Sequence, residues 1–407
     1  MSASPPGSPG RRAADHLLEA VLERGRTLEE ALDSTPAMEA RDKAAGHRIA
    51  AMVLRRLGSL DAAMEPWLRR RPPAPALRAL RIGAAELLLL GTAPHAAVSA
   101  AVSLVPKPLA GVVNAVLRRL AEAGPAALEG LDAERLDTPT WLWTSWQAAH
   151  GTAVRAIAAA HREEAPLDLT LRPGAAAPPG GEERPTGTWR YPAGTRITEL
   201  AGFAEGDFWA QDEAAAIPAR LLGARPGERV VDLGAAPGGK TAQLAATGAQ
   251  VVAVEREPRR MDRLRENMLR LRLHPELVQA DITAWRPDAL FDAVLLDAPC
   301  TATGTIRRHP DVPHLKRAKD VVQLAATQRN LLAAAAKLLK PGGRLVFATC
   351  SLQAEEGEAH LAHLPDGLAL DPIGAAEAPG VTPQGTLRTR PDMGMDGFFA
   401  MRLRRAP

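Results

Sequence analysis

The chain has 407 residues, of which 46% are hydrophobic, and its formal net charge is only +3. This composition predicts a globular protein with a sizeable core, and the small positive charge is a weak indication of an anionic partner. No apolar run reaches the roughly 18 residues of a membrane span, and two cysteines exclude a disulfide framework. Because the first residues also lack the apolar core of a signal peptide, we predict a cytoplasmic protein.

The N-terminal third predicts a helical domain. Residues 1–12 are rich in Pro, Ser and Gly and are interpreted as a disordered lead. From there the apolar residues are spaced by three and four, as in ADHLLEAVLERGRTLEEAL, and ALRALRIGAAELLLLG is apolar on nearly every side. We therefore predict an all-α domain of five to seven helices over residues 13–124.

Residues 125–215 have a mixed pattern and are interpreted as an α/β connecting subdomain. TPTWLWTSWQAAHGTAVRAIAAAH predicts two helices, LDLTLRP predicts a strand, and GAAAPPGGEERPTG predicts a loop. From residue 216 to 407 strands and helices alternate, beginning with ERVVDLG, GGKTAQLAATG and QVVAVE. That alternation predicts a doubly wound parallel sheet, the α/β architecture of Rossmann-like domains.

Chemically distinctive residues follow five of these predicted strands. They are the Gly234–Gly239 turn, Glu255, Asp281, Asp297 with Cys300, and Cys350. Ligands of open α/β sheets bind beyond the carboxyl ends of the strands, so these residues are expected on one rim. A single aspartate at a strand end is more often a cap than a ligand, but five such positions together indicate a functional site.

The first three positions predict an adenosine-bearing cofactor. The glycines of DLGAAPGG allow a ligand to approach the backbone closely. Glu255 suits a ribose diol, and Asp281 suits an adenine amino group. The same stretch also matches a phosphate-binding loop at Gly234, Gly239, Lys240 and Thr241, so a nucleoside triphosphatase is the alternative.

The two cysteines predict covalent chemistry. Cys350 is expected between a strand and a helix N-terminus, where the helix dipole favours a thiolate. The alternative is that Cys300 and Cys350 serve only as small buried apolar side chains. A thiolate beside an adenosine cofactor suggests methyl transfer from S-adenosylmethionine to C5 of cytosine: one cysteine attacks C6, the other helps release, and Asp297 bonds the N3/N4 edge of the base.

Four motifs give the chain a specific resemblance: DLGAAPGGKTAQLA, DAPCTATGTIRRHPD, KPGGRLVFATCSLQAEEGE and MDGFFAMRLRR. In this order they resemble the NOL1/NOP2/Sun family of RNA cytosine-C5 methyltransferases. RIGAAELLLLGTAPHAAVSAAV and VVNAVLRRL resemble the NusB-type RNA-binding domain of its bacterial ribosomal RNA branch. The resemblance implies that Cys350 attacks and Cys300 serves release. It also implies these cofactor contacts: Gly234, Ala235, Ala236, Pro237, Gly238, Gly239, Lys240, Glu255, Asp281 and Asp297.

The resemblance leaves several points open. In DNA cytosine methyltransferases the Pro-Cys attacks, so Cys300 is the alternative nucleophile. Gly234 stands where the family usually has cysteine, and Gly357 replaces its usual asparagine, which is expected to loosen a helix. Arg307, Arg308 and His309 are expected to meet phosphate or the target loop, or else to form a solvated turn.

Other expectations concern partners. The partner implied is RNA, most directly small-subunit (16S) ribosomal RNA, with transfer RNA or another RNA as the alternative substrate. A non-catalytic RNA-binding assembly factor is the alternative activity. We expect a monomer without a membrane partner, and no metal site at His360 and His363.

Overall fold

A computed structural model describes residues 9–34 and 38–407. The chain forms two compact units. The first comprises residues 1–163 and 306–317, and the second comprises residues 164–305 and 318–407. This division differs from the boundaries predicted from sequence, because residues 125–163 fold with the N-terminal helices and residues 164–215 fold with the sheet domain. No helix in the described residues is long and apolar enough to cross a membrane.

The first unit is helical, as predicted. Its core is formed by Leu17, Leu80, Ile82 and Leu117, all fully buried. Its helices are α1 (Pro9–Leu22), α2 (Leu28–Asp33), α3 (Ala40–Arg55), α4 (Leu57–Met64), α5 (Ala74–Leu88), α6 (Pro94–Ser103), α7 (Lys107–Ala123), α8 (Ala133–Asp137), α9 (Thr140–His150), α10 (Val154–His161) and α14 (Val312–Leu315).

The predicted disordered lead is wrong for residues 9–12, which form the first turn of α1. Proline is favoured in the first helical turn, and Pro9 begins this helix. The guanidinium of Arg11 donates to Glu86 at 2.7 Å, and Gly10 is buried. Residues 1–8 lie outside the described residues.

A second correction concerns the segment Ile306–Arg317, which folds with the helical unit. Arg55 donates to the carbonyl oxygen of Arg307 at 2.9 Å, and the Leu28 amide donates to Asp311 Oδ2 at 2.9 Å. His314 Nε2 lies 2.9 Å from the Leu54 carbonyl oxygen, and burial lowers the pKa of its imidazole. Arg307 is therefore buried rather than part of a solvated turn.

The second unit contains two sheets. The smaller is antiparallel, in the order β2-β3-β1-β4, and the larger has the order β10-β12-β9-β8-β5-β6-β7 with β11 beside β12. The strands are β1 (Leu167–Leu171), β2 (Glu182–Glu183), β3 (Trp189–Tyr191), β4 (Phe208–Ala210), β5 (Arg229–Leu233), β6 (Gln250–Glu255), β7 (Glu276–Gln279), β8 (Phe291–Asp297), β9 (Leu339–Thr349), β10 (Leu368–Leu370), β11 (Leu387–Arg388) and β12 (Phe399–Arg405). The helices are α11 (Glu213–Leu222), α12 (Gly239–Ala246), α13 (Pro258–Leu271) and α15 (Ala318–Lys337).

The larger sheet confirms the predicted α/β architecture. Strands β7, β6, β5, β8 and β9 are parallel neighbours. Strand β12 is antiparallel to β9, and β10 and β11 are each antiparallel to β12. The chain leaves β5 toward β6 on one side and later returns to β8 on the other. Such a reversal opens a crevice at the carboxyl ends of the central strands.

Candidate active site

The parallel strands bring the predicted residues to one edge. β6 ends at Glu255, β8 ends at Asp297, and Cys350 follows β9 directly. Asp281 comes two residues after β7, and the glycine turn follows β5. Neighbouring parallel strands end on the same side of a sheet, so the convergence expected from sequence is present.

The glycine turn is shaped by the backbone. Gly234 has a φ of +80°, and a Cβ there would lie 2.5 Å from the carbonyl oxygen of Asp297. With the backbone in this position, a side chain at residue 234 would require the turn to shift away from Asp297. Helix α13 holds the rest of the turn, because Arg260 donates to the Ala236 oxygen at 2.7 Å and Asn267 donates to the Pro237 oxygen at 2.8 Å. Ala235 is buried, and Gly238 precedes α12 with a φ of +112°.

The side chains of Lys240 and Thr241, which follow the turn, are bonded to carboxyl groups. Lys240 Nζ lies 2.8 Å from Asp297 Oδ2, and Thr241 Oγ1 donates to Asp232 Oδ2 at 2.6 Å. In a phosphate-binding loop the equivalent lysine faces phosphate and the hydroxyl faces Mg²⁺. The bonds seen here are not those of a nucleoside triphosphatase. Among the described residues no cluster of three metal-ligating side chains occurs.

Two carboxyl groups on this rim are buried, and each has one oxygen without a hydrogen bond to the described part of the chain. Asp232 Oδ1 and Glu255 Oε2 have no hydrogen-bond partner among the described residues, although Arg260 forms an ion pair with Glu255 at 3.4 Å. Glu255 Oε1 accepts from the amides of Arg256 and Glu257 at 2.9 and 3.1 Å, which fixes the carboxylate. Buried acceptors are normally paired, so these oxygens fit a ligand rich in hydroxyl or amino donors.

Burial raises the pKa of Asp232 to about 7, and the hydrogen bond from Thr241 only partly opposes this effect. Asp281 behaves differently because it is half-exposed and caps its own turn. Its Oδ1 accepts from the amide and the hydroxyl of Thr283 at 2.9 and 2.6 Å, and these bonds lower the pKa of the carboxyl. The structure therefore shows the capping geometry that was the alternative for a strand-end aspartate.

The two cysteines are brought together. Their sulfur atoms lie 3.3 Å apart, although the residues are separated by 50 positions. Both are partly exposed, and the amide of Gly304 donates to the Cys350 carbonyl oxygen at 3.0 Å. The hydrogen bond to Cys350 raises the pKa of Cys300 well above its ordinary value, and burial adds to the effect. Either sulfur can donate in this contact, and the raised pKa favours the protonated form of Cys300.

The helix expected after Cys350 is absent, and this prediction was wrong. Residues Ala354–Glu356 and Glu358–His363 form short 3₁₀ turns, separated by Gly357. A Cβ at Gly357 would lie 2.4 Å from a guanidinium nitrogen of Arg388, so the expected loosening of a helix does not apply. The predicted helix dipole cannot favour a Cys350 thiolate.

A lysine on this rim interacts electrostatically with Cys350. Burial works against the charged form of Lys240, but the attraction of Asp297, and further of Asp232 and Cys350, outweighs it and raises the pKa of Lys240. The lysine is therefore a cation whose field reaches Cys350. From sequence, Lys240 was assigned only to the cofactor turn, because nothing local shows that its side chain faces Asp297.

Two further residues were missed by sequence reasoning. Asp232 lies inside β5, where its polarity within the apolar run VVDL was the available signal. Glu356 is fully buried, and both of its carboxylate oxygens are hydrogen bonded. No local pattern marked Glu356, since it lies in a polar stretch, QAEEGE, that was predicted to be part of a helix.

Comparisons with known proteins agree with this architecture. Residues 219–404 match a family described as 16S rRNA methyltransferase RsmB/F, and residues 8–122 match the NusB family. Ribosomal RNA small subunit methyltransferase B of Xanthomonas campestris is 37% identical, over 97% of this chain and 96% of that protein. The protein of the same name from Klebsiella pneumoniae is 35% identical, over 97% of each chain.

Solved structures share the fold. The crystal structure of PH0851 aligns with a TM-score of 0.76 and 24% identity, over 99% of this chain and 100% of that chain. NSun6 from Pyrococcus horikoshii with SFG aligns with a TM-score of 0.56 and 21% identity, over 66% of this chain and 98% of that chain. The chain therefore belongs to the RsmB/F family of methyltransferases and carries a NusB-family domain at its N-terminal end.

Proposed function

We propose that this protein transfers a methyl group from S-adenosylmethionine to C5 of a cytosine in small-subunit ribosomal RNA. The observation that carries the proposal is the pair of cysteine sulfurs 3.3 Å apart, on the same rim as the Lys240–Asp297 pair. The names of the full-length relatives support ribosomal RNA as the substrate. The chain spans 96–97% of those relatives, and its residues 8–122 match the NusB family.

The cofactor would be held by the glycine turn, Asp232 and Glu255. Glu255 Oε2, beside Arg260, provides an acceptor for a ribose hydroxyl, and Asp232 Oδ1, which has no hydrogen-bond partner among the described residues, provides a second polar contact. Asp281 would contact the adenine through the part of its carboxylate that is not bonded to Thr283. When bound, S-adenosylmethionine supplies the methyl group to C5 as an electrophile.

The first role of the protein is to place a nucleophile under the base. The Cys350 thiolate attacks C6 of a cytosine that has left its stack, because this attack is perpendicular to the ring plane. A bond forms between sulfur and C6, and electron density moves to C5 and N3. Asp297 meets the N3/N4 edge, and Lys240 holds a positive charge 2.8 Å from that carboxylate, so the charge that develops is stabilised.

The second role is release. After C5 is methylated, its proton must go to a base while the sulfur–C6 bond breaks and the C5=C6 double bond re-forms. Cys300 holds its proton mainly because of the hydrogen bond to Cys350. Once the Cys350 sulfur is a neutral thioether, that cause is removed and Cys300 ionises more easily. Cys300 then becomes a base at the step that needs one.

Bisulfite mapping tests the proposal. We expect ribosomal RNA from a strain lacking this protein to lose one bisulfite-resistant cytosine in the small-subunit RNA. Expression of the wild-type chain restores it, and expression of Cys350→Ala does not. Unchanged ribosomal RNA together with a lost site in transfer RNA would contradict the ribosomal assignment, and no lost site in any RNA would contradict the methyltransferase assignment.

A further inference from the structure

One buried carboxylate joins the loops that carry the two cysteines. Glu356 is fully buried and lies beyond the loop that contains Cys350. Its Oε1 accepts from the amide of Thr301 at 2.9 Å, and its Oε2 accepts from the hydroxyl of Ser351 at 2.6 Å. Thr301 follows Cys300 in the chain, and Ser351 follows Cys350. Glu356 therefore holds the immediate neighbour of each sulfur-bearing residue.

Further contacts prevent this carboxylate from moving. Gln328 on α15 donates through Nε2 to Glu356 Oε1 at 3.1 Å and to the Pro299 oxygen at 2.9 Å. The Oε1 of Gln328 lies 2.8 Å from His360 Nε2. Because Gln328 Oε1 can only accept, His360 donates from this nitrogen, and burial lowers the pKa of His360 to about 4. The ring is neutral near pH 7, so the network keeps one proton arrangement.

Glu356 also acts on Cys300 through its charge. Cys300 is kept as a thiol mainly by Cys350 and by burial, and the negative charge of Glu356 adds to both. Burial raises the pKa of Glu356 itself, but its hydrogen bonds from Ser351 and Thr301 oppose the shift. Cys350 and Glu356 are the charged groups that act on Cys300, and Cys350 in turn contributes to the raised pKa of Lys240.

We propose that Glu356 is a positioning residue that fixes the two cysteine loops to each other and so sets the contact between the two sulfurs. The inference rests on the proposed function, since the sulfurs need this registration only if both act on one base. Glu356 is fully buried behind the two loops, so its effect on catalysis is indirect. A carboxylate is required because a glutamine presents an amide nitrogen, which cannot accept, to at least one of these donors.

The test compares Glu356→Gln and Glu356→Asp with a matched control. Asp168→Asn also removes a buried carboxylate of the same unit, one that bonds Arg190 at 2.7 Å in the smaller sheet. Two measurements are made on each folded protein. The first is methyl transfer at saturating RNA and S-adenosylmethionine, and the second is alkylation of each cysteine by iodoacetamide across pH, followed by peptide mass spectrometry.

We expect Glu356→Gln to lower kcat by about 100-fold while KM for RNA changes by less than about threefold, because misplaced reacting groups slow the chemical step without weakening binding. The alkylation profile of Cys300 should shift to lower pH, toward that of Cys350. Glu356→Asp should restore part of kcat and most of the separation between the two profiles, since it retains the charge. Asp168→Asn should leave both cysteine profiles unchanged.

The inference would be overturned if both cysteines of Glu356→Gln had the same alkylation profiles as in the wild type. It would also be overturned if kcat and RNA affinity fell by the same factor. If Glu356→Gln does not fold, Glu356→Asp decides, because wild-type kcat and profiles in that variant would also overturn it. Failure of the wild-type chain to methylate any RNA would instead contradict the proposed function, and the cysteine profiles would still report on Glu356.

Discussion

The ammonium nitrogen of Lys240 lies 2.8 Å from the carboxylate of Asp297, and this pair stands on the rim that carries both cysteines. The side chains are 11% and 29% exposed, so water screens the pair only partly. Lys240 is also 5.4 Å from the centre of the Phe398 ring, which covers one side of the ammonium. A cation held this way can stabilise negative charge that appears on a bound base or on Cys350.

Replacement of Lys240 by methionine should lower kcat by about 100-fold or more, because one preorganised charge at a developing anion contributes on this scale. Lys340→Met is the matched control, since Lys340 pairs with Asp292 at 2.7 Å outside the site. Single-turnover methylation measures both variants. Equal, small effects of the two substitutions would contradict a catalytic role for the Lys240–Asp297 pair.

Glu255→Gln should weaken S-adenosylmethionine binding by about 10- to 100-fold, because a hydrogen bond to a charged group contributes about 1.5–3 kcal/mol. Isothermal titration calorimetry measures the affinity without RNA. Glu276→Gln is the control, since Glu276 is exposed and begins β7 at the opposite edge of the sheet. An unchanged affinity in Glu255→Gln would exclude Glu255 from the cofactor site.

Asp232 should make folding stability depend on pH. The folded protein keeps this carboxyl protonated up to about pH 7, whereas an ordinary aspartate ionises near pH 3.8. The stability that protonated Asp232 contributes is therefore present in full below pH 3.8 and is lost as pH rises to about 7. Each pH unit in that window corresponds to about 1.4 kcal/mol.

Between pH 5 and pH 7 the wild type should thus lose about 2–3 kcal/mol of unfolding free energy relative to Asp232→Asn. Urea unfolding at both pH values measures this difference. Asp292→Asn is the control for the titration of surface carboxyls. The hydrogen bond from Lys340 lowers the pKa of Asp292, so its contribution to stability changes with pH in the opposite direction. A difference between wild type and Asp232→Asn that does not change with pH would contradict the buried protonated carboxyl.

The parts of the site that sequence predicted are those fixed by topology. Asp297 and Cys350 could be placed on one rim because strands that alternate with helices pair in parallel, and their carboxyl ends then share an edge. Their chemistry was visible because cysteine is rare in this chain. The choice of Cys350 as nucleophile came from the family resemblance.

The parts that sequence did not predict depend on contacts between distant positions. Glu356 meets Thr301 across 55 positions, and Asp311 meets Leu28 across 283. Neither contact leaves a periodic pattern. The stretch after Cys350 was therefore predicted to be a helix, and Arg307, Arg308 and His309 were predicted to meet phosphate or the target loop, or else to form a solvated turn. The predicted helix after Cys350 failed because Gly357 takes a non-helical, tightly packed conformation, with φ −135° and ψ −101°, beside Arg388.

The most direct test of the account is a denaturing gel of single-cysteine variants incubated with small-subunit RNA and S-adenosylmethionine. We expect Cys300→Ala to methylate the base but fail to release it, so that a covalent protein–RNA species survives denaturation. Cys350→Ala should form no such species and transfer no methyl group. A covalent species in Cys350→Ala and none in Cys300→Ala would contradict the assignment of attack to Cys350 and release to Cys300.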